Sequence, residues 1–235
     1  DDNVGRILAR LREWGIDETT LVVVMNDNGG TVGLEVFDAG LRGRKGSAWE
    51  GGTRAASFWR WPGAVRPGVC DVLTAHVDVP RTLATIAGAR LSPAVEARVE
   101  GRDLVPLLED PRSPWPDRVL VTHLGRWPQG REPRKYGACS LRDSRYSLVR
   151  VGDAWQLFDL WDDPGQASDV ATRHPEIVAR LSAFYDRWWD EVRPRLVNES
   201  ARGPAVNPFK EAYWRQFAGP GPNGVPPGVF KSDLE

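Results

Sequence analysis

The chain is poor in the residues that would announce most chemistries. It holds only 2 cysteines, 3 histidines and 1 methionine among 235 residues. Two cysteines, Cys70 and Cys139, are too few for a disulfide framework, and they leave the redox compartment open. The histidines, His76, His123 and His174, form no HExxH pattern, and no Ser/His/Asp order accompanies them. Charge of one sign is also lacking. The 31 basic and 32 acidic residues leave a net charge of −1, which gives no global field for nucleic acid or an anionic membrane. No apolar run is long enough to span a bilayer. No signal peptide is visible, but the chain opens on Asp1 with its only methionine at Met25, so the native N-terminus and any targeting signal are expected to lie outside it.

What is present is a core-forming composition, 41% hydrophobic, with 11 tryptophans. Those rings suit large aromatic contacts, with a carbohydrate platform as the rival reading. Val4, Ile7, Leu8, Leu11 and Trp14 recur at helical spacing, and Gly15 stops the helix. An unbroken apolar run, Leu21–Met25, predicts a buried parallel strand in an α/β layer with both faces covered. Ala55–Trp61 reads as a further strand, ended by Pro62-Gly63. Asp78 is expected to cap a helix carrying Val79, Leu83 and Ile86 inward, with Pro80 in its first turn.

Prolines at 106, 111, 114 and 116 place a boundary near residue 115. Beyond it, Val119–Leu124, Ala138–Arg142, Tyr146–Val151 and Trp155–Leu160 alternate with turn signals at Arg142–Arg145 and Gly152-Asp153. They predict a small antiparallel sheet. Pro175–Val192 reads as a helix that would cover one face of it, with Ile177, Val178, Leu181, Phe184, Tyr185 and Trp188 on one side. The expected organisation is therefore residues 1–115 as part of an α/β domain and 116–200 as a small α+β subdomain. Residues 201–235 read as a Pro/Gly-rich extended tail, anchored by Phe209, Tyr213 and Trp214.

Two places could carry chemistry. At the end of the first strand, Asp27 and Asn28 offer a carboxylate and a carboxamide, hard oxygen donors that suit calcium or magnesium better than zinc. Asp-Asn-Gly is equally good turn chemistry, and both readings stand. Lys45 sits among Gly43, Gly46, Gly51 and Gly52, where it could reach an anion beside backbone amides or simply be solvated. It is not a Walker loop, because the GxxxxGK[ST] spacing is absent. His123 and Arg126 are weak candidates for a substrate pocket, with packing as the rival role for His123.

Taken in order, DDNVGRILARLREWGIDETTLVVVMNDNGG, LRGRKGSAWEGGTR and WRWPG resemble the C-terminal half of the catalytic domain of formylglycine-dependent sulfatases. EGRDLVPLL resembles the end of that domain. LVTHLGRWP, YSLV, WQLFDLWDDPG and HPEIVARLSAFYDRWW resemble the family's small C-terminal subdomain. The resemblance implies an alkaline-phosphatase-like α/β fold and hydrolysis of a sulfate ester, with sulfated glycans as the substrate suggested by family analogy. It matches Asp27 and Asn28 to calcium ligands, with Mg2+ as the alternative ion, and Lys45 to a lysine that contacts sulfate. It also implies a periplasmic or secreted location. The family's formylglycine arises from a C/S-x-P/A-x-R motif. Neither Cys70, followed by Asp-Val-Leu-Thr, nor Cys139, followed by Ser-Leu-Arg-Asp, fits it. The nucleophile, the N-terminal aspartate pair and a further histidine and lysine are expected in a missing N-terminal half of the same protein. The chain alone is then expected to be inactive. Two alternatives remain: a non-catalytic, truncated or degenerate binding module, and a phosphate-ester hydrolase of the same superfamily.

Overall fold

The computed structural model describes residues 1–125, 127, 131–196 and 208–217. Helix α1 (Asp2–Glu13) leads into a single 3-10 turn and strand β1 (Val22–Met25). The short helix α2 (Glu50–Thr53) precedes strand β2 (Ser57–Arg60). Helices α3 (Val79–Ile86), α4 (Pro93–Glu96) and α5 (Val105–Glu109) follow. Strands β3 (Leu120–His123), β4 (Cys139–Arg142), β5 (Tyr146–Val151) and β6 (Ala154–Asp159) come next. Helices α6 (Pro175–Leu196) and α7 (Pro208–Phe217) complete the described chain.

Strand β1 departs from its expected setting. It pairs antiparallel with β2, from Val22 opposite Arg60 to Met25 opposite Ser57, in a two-stranded ribbon. Val24 and its partner Phe58 are 38% and 68% exposed. The strand is thus neither parallel nor buried: an apolar run says nothing of the direction of a neighbour. The apolar side of α1 is likewise open, with Ile7 and Trp14 exposed and no residue of the helix buried.

Helix α3 starts where expected and turns Val79 and Ile86, both half-buried, to the expected side, but the residue sealed between them is Thr82 and not Leu83. Thr82 is fully buried while Leu83 is exposed. The Thr82 hydroxyl donates to the Asp78 carbonyl at 2.7 Å and accepts from the Leu104 amide at 2.9 Å. A satisfied hydroxyl can be buried without penalty, and an amphipathic pattern cannot foresee its partner.

The second sheet runs β3-β4-β5-β6, antiparallel throughout. Its tightest hairpin turns at Gly152-Asp153, between Val151 and Ala154. Gly152 has φ +57°, a conformation that glycine adopts at no steric cost. Strand alternation gives the sheet two unlike faces. On one, Leu141, Leu148 and Leu157 align across three strands and meet Leu181, Tyr185 and Trp189 of α6. Spacing of four places those three residues on one side of the helix. On the other face, Val149 and Phe158 receive Ala48, Trp49 and Leu160. The segment following Lys45 is thus built into the sheet's second face.

The tail expectation holds less well. Pro208–Phe217 is a helix, begun by a proline, which needs no amide partner at a helix start, and carrying a Glu211–Arg215 ion pair one turn apart. Phe209 is 86% exposed, so it lies on the surface rather than in the core.

Candidate functional site

At the end of β1 the ladder continues for one residue, the Asn26 amide donating to the Ala56 carbonyl at 3.0 Å. The chain then leaves the ribbon through Asp27-Asn28-Gly29-Gly30. His76 Nε2 lies 2.8 Å from the Asn26 carbonyl oxygen. A carbonyl only accepts, so the imidazole must carry a hydrogen on Nε2. This bond fixes the backbone immediately before Asp27.

The lysine loop is joined to that turn backbone to backbone. The Gly29 amide donates to the Gly52 carbonyl at 3.1 Å, and the Lys45 amide donates to the Gly30 carbonyl at 2.9 Å. The approach is close enough to require glycine. A Cβ on Gly29 would lie 1.8 Å from the Gly51 oxygen. The loop is also folded on itself. The Gly51 amide donates to the Arg42 carbonyl at 2.7 Å, and the Ser47 hydroxyl donates to the Arg44 carbonyl at 2.7 Å.

The Asp27 and Lys45 side chains are exposed and Asn28 is half-buried. The turn therefore presents two hard oxygen donors, and an ammonium-bearing residue begins where Gly30 ends. Among the described residues no group of three or more His, Cys, Asp and Glu could hold a metal. A carboxylate and a carboxamide fit a hard cation in kind, but they supply two of the six to eight oxygens that calcium takes.

Behind the loop, Glu50 is 3% exposed and accepts from Arg142 on β4 at 3.0 Å. Burial pushes its carboxyl above the ordinary range, and Arg142 and Arg54 oppose that push. Arg42 lies over the Trp49 ring at 3.7 Å, and Trp49 meets Phe158 edge-on. Sequence reading singled out neither Glu50 nor Arg142 as a partner. Their 92-residue separation carries no local signal.

His123 lies elsewhere, at the end of β3 against α6. Its ring centroid is 5.0 Å from Trp189 and 6.2 Å from Tyr185, and its Nε2 faces the Arg134 carbonyl at 3.2 Å. Burial holds its pKa below the usual histidine value, against the raising effect of the Arg134 and Leu124 backbone. No described contact joins it to the Asp27–Lys45 unit. Arg126 lies outside the described residues. Cys139 is fully buried, and burial raises its thiol to about 11. Cys70 is exposed.

The family model described as Sulfatase matches residues 1–89. The chain is 32% identical to steryl-sulfatase from Mus musculus over 97% of its length, and 37% identical to arylsulfatase A from Homo sapiens over 77%. It covers 41% and 40% of those two proteins, so it spans well under half of the curated relatives it matches. Among solved structures, Ps i-CgsB superimposes with a TM-score of 0.66 and 23% identity, over 93% of this chain and 45% of that one. A structure described as a 2-O GAG sulfatase gives 0.61 and 21%, over 84% and 42%. At those identities the structural likeness shows the fold alone.

Proposed function

The chain belongs to the sulfatase family of the alkaline-phosphatase superfamily, and from that premise we propose that it is the C-terminal part of a sulfate-ester hydrolase. Its share of the site is half of a calcium centre and a sulfate-binding lysine. The observation that carries this reading is the backbone seam between the Asp27–Gly30 turn and the Lys45 loop. It joins the segment bearing Asp27 and Asn28 to the one bearing Lys45 at the end of one strand, which supports this division of roles.

In this reading Asp27 and Asn28 hold calcium, which when bound draws off charge from the sulfate oxygens. Lys45 reaches the same oxyanion and stabilises charge as the ester oxygen departs. The alcohol and inorganic sulfate are the products. Asn28 favours calcium over the softer ions, because an amide oxygen is a poor ligand for zinc. The formylglycine nucleophile and the remaining carboxylates belong to a preceding segment of the same protein, periplasmic or secreted. The substrate is a sulfated alcohol, and names such as the 2-O GAG sulfatase favour a glycan among these.

A second reading has one observation in its favour. Of the two cysteines, Cys139 is sealed in the core and Cys70 precedes no C/S-x-P/A-x-R pattern. A chain with no partner half would then act as a non-catalytic binding module.

The test is turnover of an aryl sulfate and of the matching aryl phosphate by the full-length protein that carries this chain. Sulfate-ester hydrolysis is expected, with Lys45→Ala lowering kcat/KM about 10²–10³-fold. Preference for the phosphate ester would move the protein to the phosphatase branch. The 235-residue chain alone is expected to be inert, and calcium-dependent turnover by it would overturn the half-site assignment.

A further inference from the structure

Both stems of the lysine loop end on a single residue far along the chain. Gln166 is fully buried. Its Oε1 accepts from the Glu50 amide at 2.8 Å, and its backbone carbonyl accepts from Arg42 Nη1 at 3.1 Å. Lys45 lies between those two contacts in sequence. The amide has only one workable orientation. Oε1 must face the Glu50 N–H, so Nε2 faces the Ser147 hydroxyl on β5, 3.1 Å away, which accepts.

Gln166 itself stands at φ +56°, a left-handed conformation that non-glycine residues seldom adopt. Its own amide donates to the Asp163 carbonyl at 3.1 Å. One side chain is therefore held by the sheet and in turn holds the loop. The Glu50–Arg142 ion pair ties the same stem to β4.

We propose that Gln166 is a positioning residue for Lys45: its side chain clamps Glu50, one stem of the lysine loop, onto Ser147 of β5, its backbone carbonyl receives Arg42 of the other stem, and together they set where the ammonium stands. This rests on the reading of Lys45 as the sulfate ligand. The clamp itself can be judged without that reading. A buried amide satisfied at both ends loses little by mere burial, but its removal leaves the Glu50 N–H and the Ser147 hydroxyl unpaired in a dry site.

The experiment has two arms. In the first, amide hydrogen exchange is measured on the 235-residue chain and its Gln166→Ala variant. Amides of Lys45, Ser47, Gly51 and Gly52 are expected to exchange about tenfold faster, with those of β5 and β6 unchanged. Unchanged loop amides would overturn the proposal. Should Gln166→Ala loosen the whole sheet, Ser147→Ala decides the matter, since it removes only the acceptor that orients the amide. Faster loop exchange there supports the clamp, and none refutes it.

In the second arm, kcat/KM for an aryl sulfate is measured in the full-length protein for Gln166→Ala, Lys45→Ala and the double variant. Gln166→Ala is expected to cost about ten- to a hundredfold when Lys45 is present, and nothing further when Lys45 is absent. A loss that multiplies in full onto Lys45→Ala would show Gln166 acting otherwise and refute positioning. If Lys45→Ala leaves turnover intact, the sulfate-ligand reading fails, and the exchange arm alone judges the clamp.

Discussion

Arg118 grips Asp78 through both carboxylate oxygens, and the pair stands almost entirely out of water, at 9% and 0% side-chain exposure. The carboxylate also accepts from the Ala75 amide at 2.7 Å and the Arg102 amide at 2.8 Å. One side chain thus fastens the start of α3 to the segment entering β3. Removing it strands a buried guanidinium. Asp78→Ala is expected to cost about 3–5 kcal/mol, read as a fall in the chemical-denaturation midpoint. A loss under ~1 kcal/mol, the worth of an exposed pair, would refute the hub role.

The same residue sets an acid limit. Burial pushes its pKa up, but the Arg118, Arg102 and Ala75 donors together outweigh that and hold it below the ordinary aspartate value. A depressed folded pKa gives stability that is whole above the unfolded value of about 3.9 and is lost as pH falls through the folded one. Stability should therefore drop below about pH 4, and Asp78→Asn should flatten that drop. Identical acid profiles in the two proteins would contradict this.

His123 predicts a dependence in a milder range. Its folded pKa is depressed, chiefly by burial. Protonation is thus disfavoured in the fold, and stability present above the unfolded value of about 6.5 declines as pH falls toward the folded one. Thermal midpoints of the native chain should fall from pH 7 to pH 5 more steeply than those of His123→Gln. Parallel slopes would show that the ring titrates freely.

Gly29→Ala should be far more damaging than Gly5→Ala. The first puts a Cβ 1.8 Å from the Gly51 oxygen, and the second meets nothing within 4 Å. We expect a loss of about 1–3 kcal/mol or more at position 29, and at position 5, inside α1, a gain of up to ~1 kcal/mol. Equal melting temperatures would mean that the seam between the turn and the lysine loop is not tight in solution.

Calorimetry on the 235-residue chain should detect calcium binding no tighter than about 10⁻⁴–10⁻³ M, weakened further by Asp27→Ala. Two oxygen donors cannot replace most of the ion's hydration shell. Micromolar affinity would show that this chain supplies more ligands than Asp27 and Asn28.

How much of this could be read from the residues depends on how far apart the partners stand. The β5–β6 hairpin was legible because Gly152-Asp153 is local turn chemistry between two alternating runs. Strand β1 was legible as a strand and not as an antiparallel one, because an apolar run carries no direction. Helix α3 starts at Asp78 with Pro80 in its first turn as read, but the Asp78 carboxylate makes no cap bond to it, and its buried Thr82 depends on a donor at Leu104. Asp27, Asn28 and Lys45 drew attention by residue type and by the glycines around them. The tethers at Glu50, Arg142 and Gln166 did not, because each matters through a contact 92 to 124 residues away.

Those tethers give the loop around Lys45 a long-distance dependency. A graft that exchanges everything after β3 for the equivalent piece of a relative would import a foreign seat for Trp49 and a stranger at position 166. The recombinant could fold and still mis-aim its ammonium. Pieces of this molecule that look separable along the chain are therefore not interchangeable parts, and shuffling experiments should treat residues 42–54 and 140–170 as one cassette.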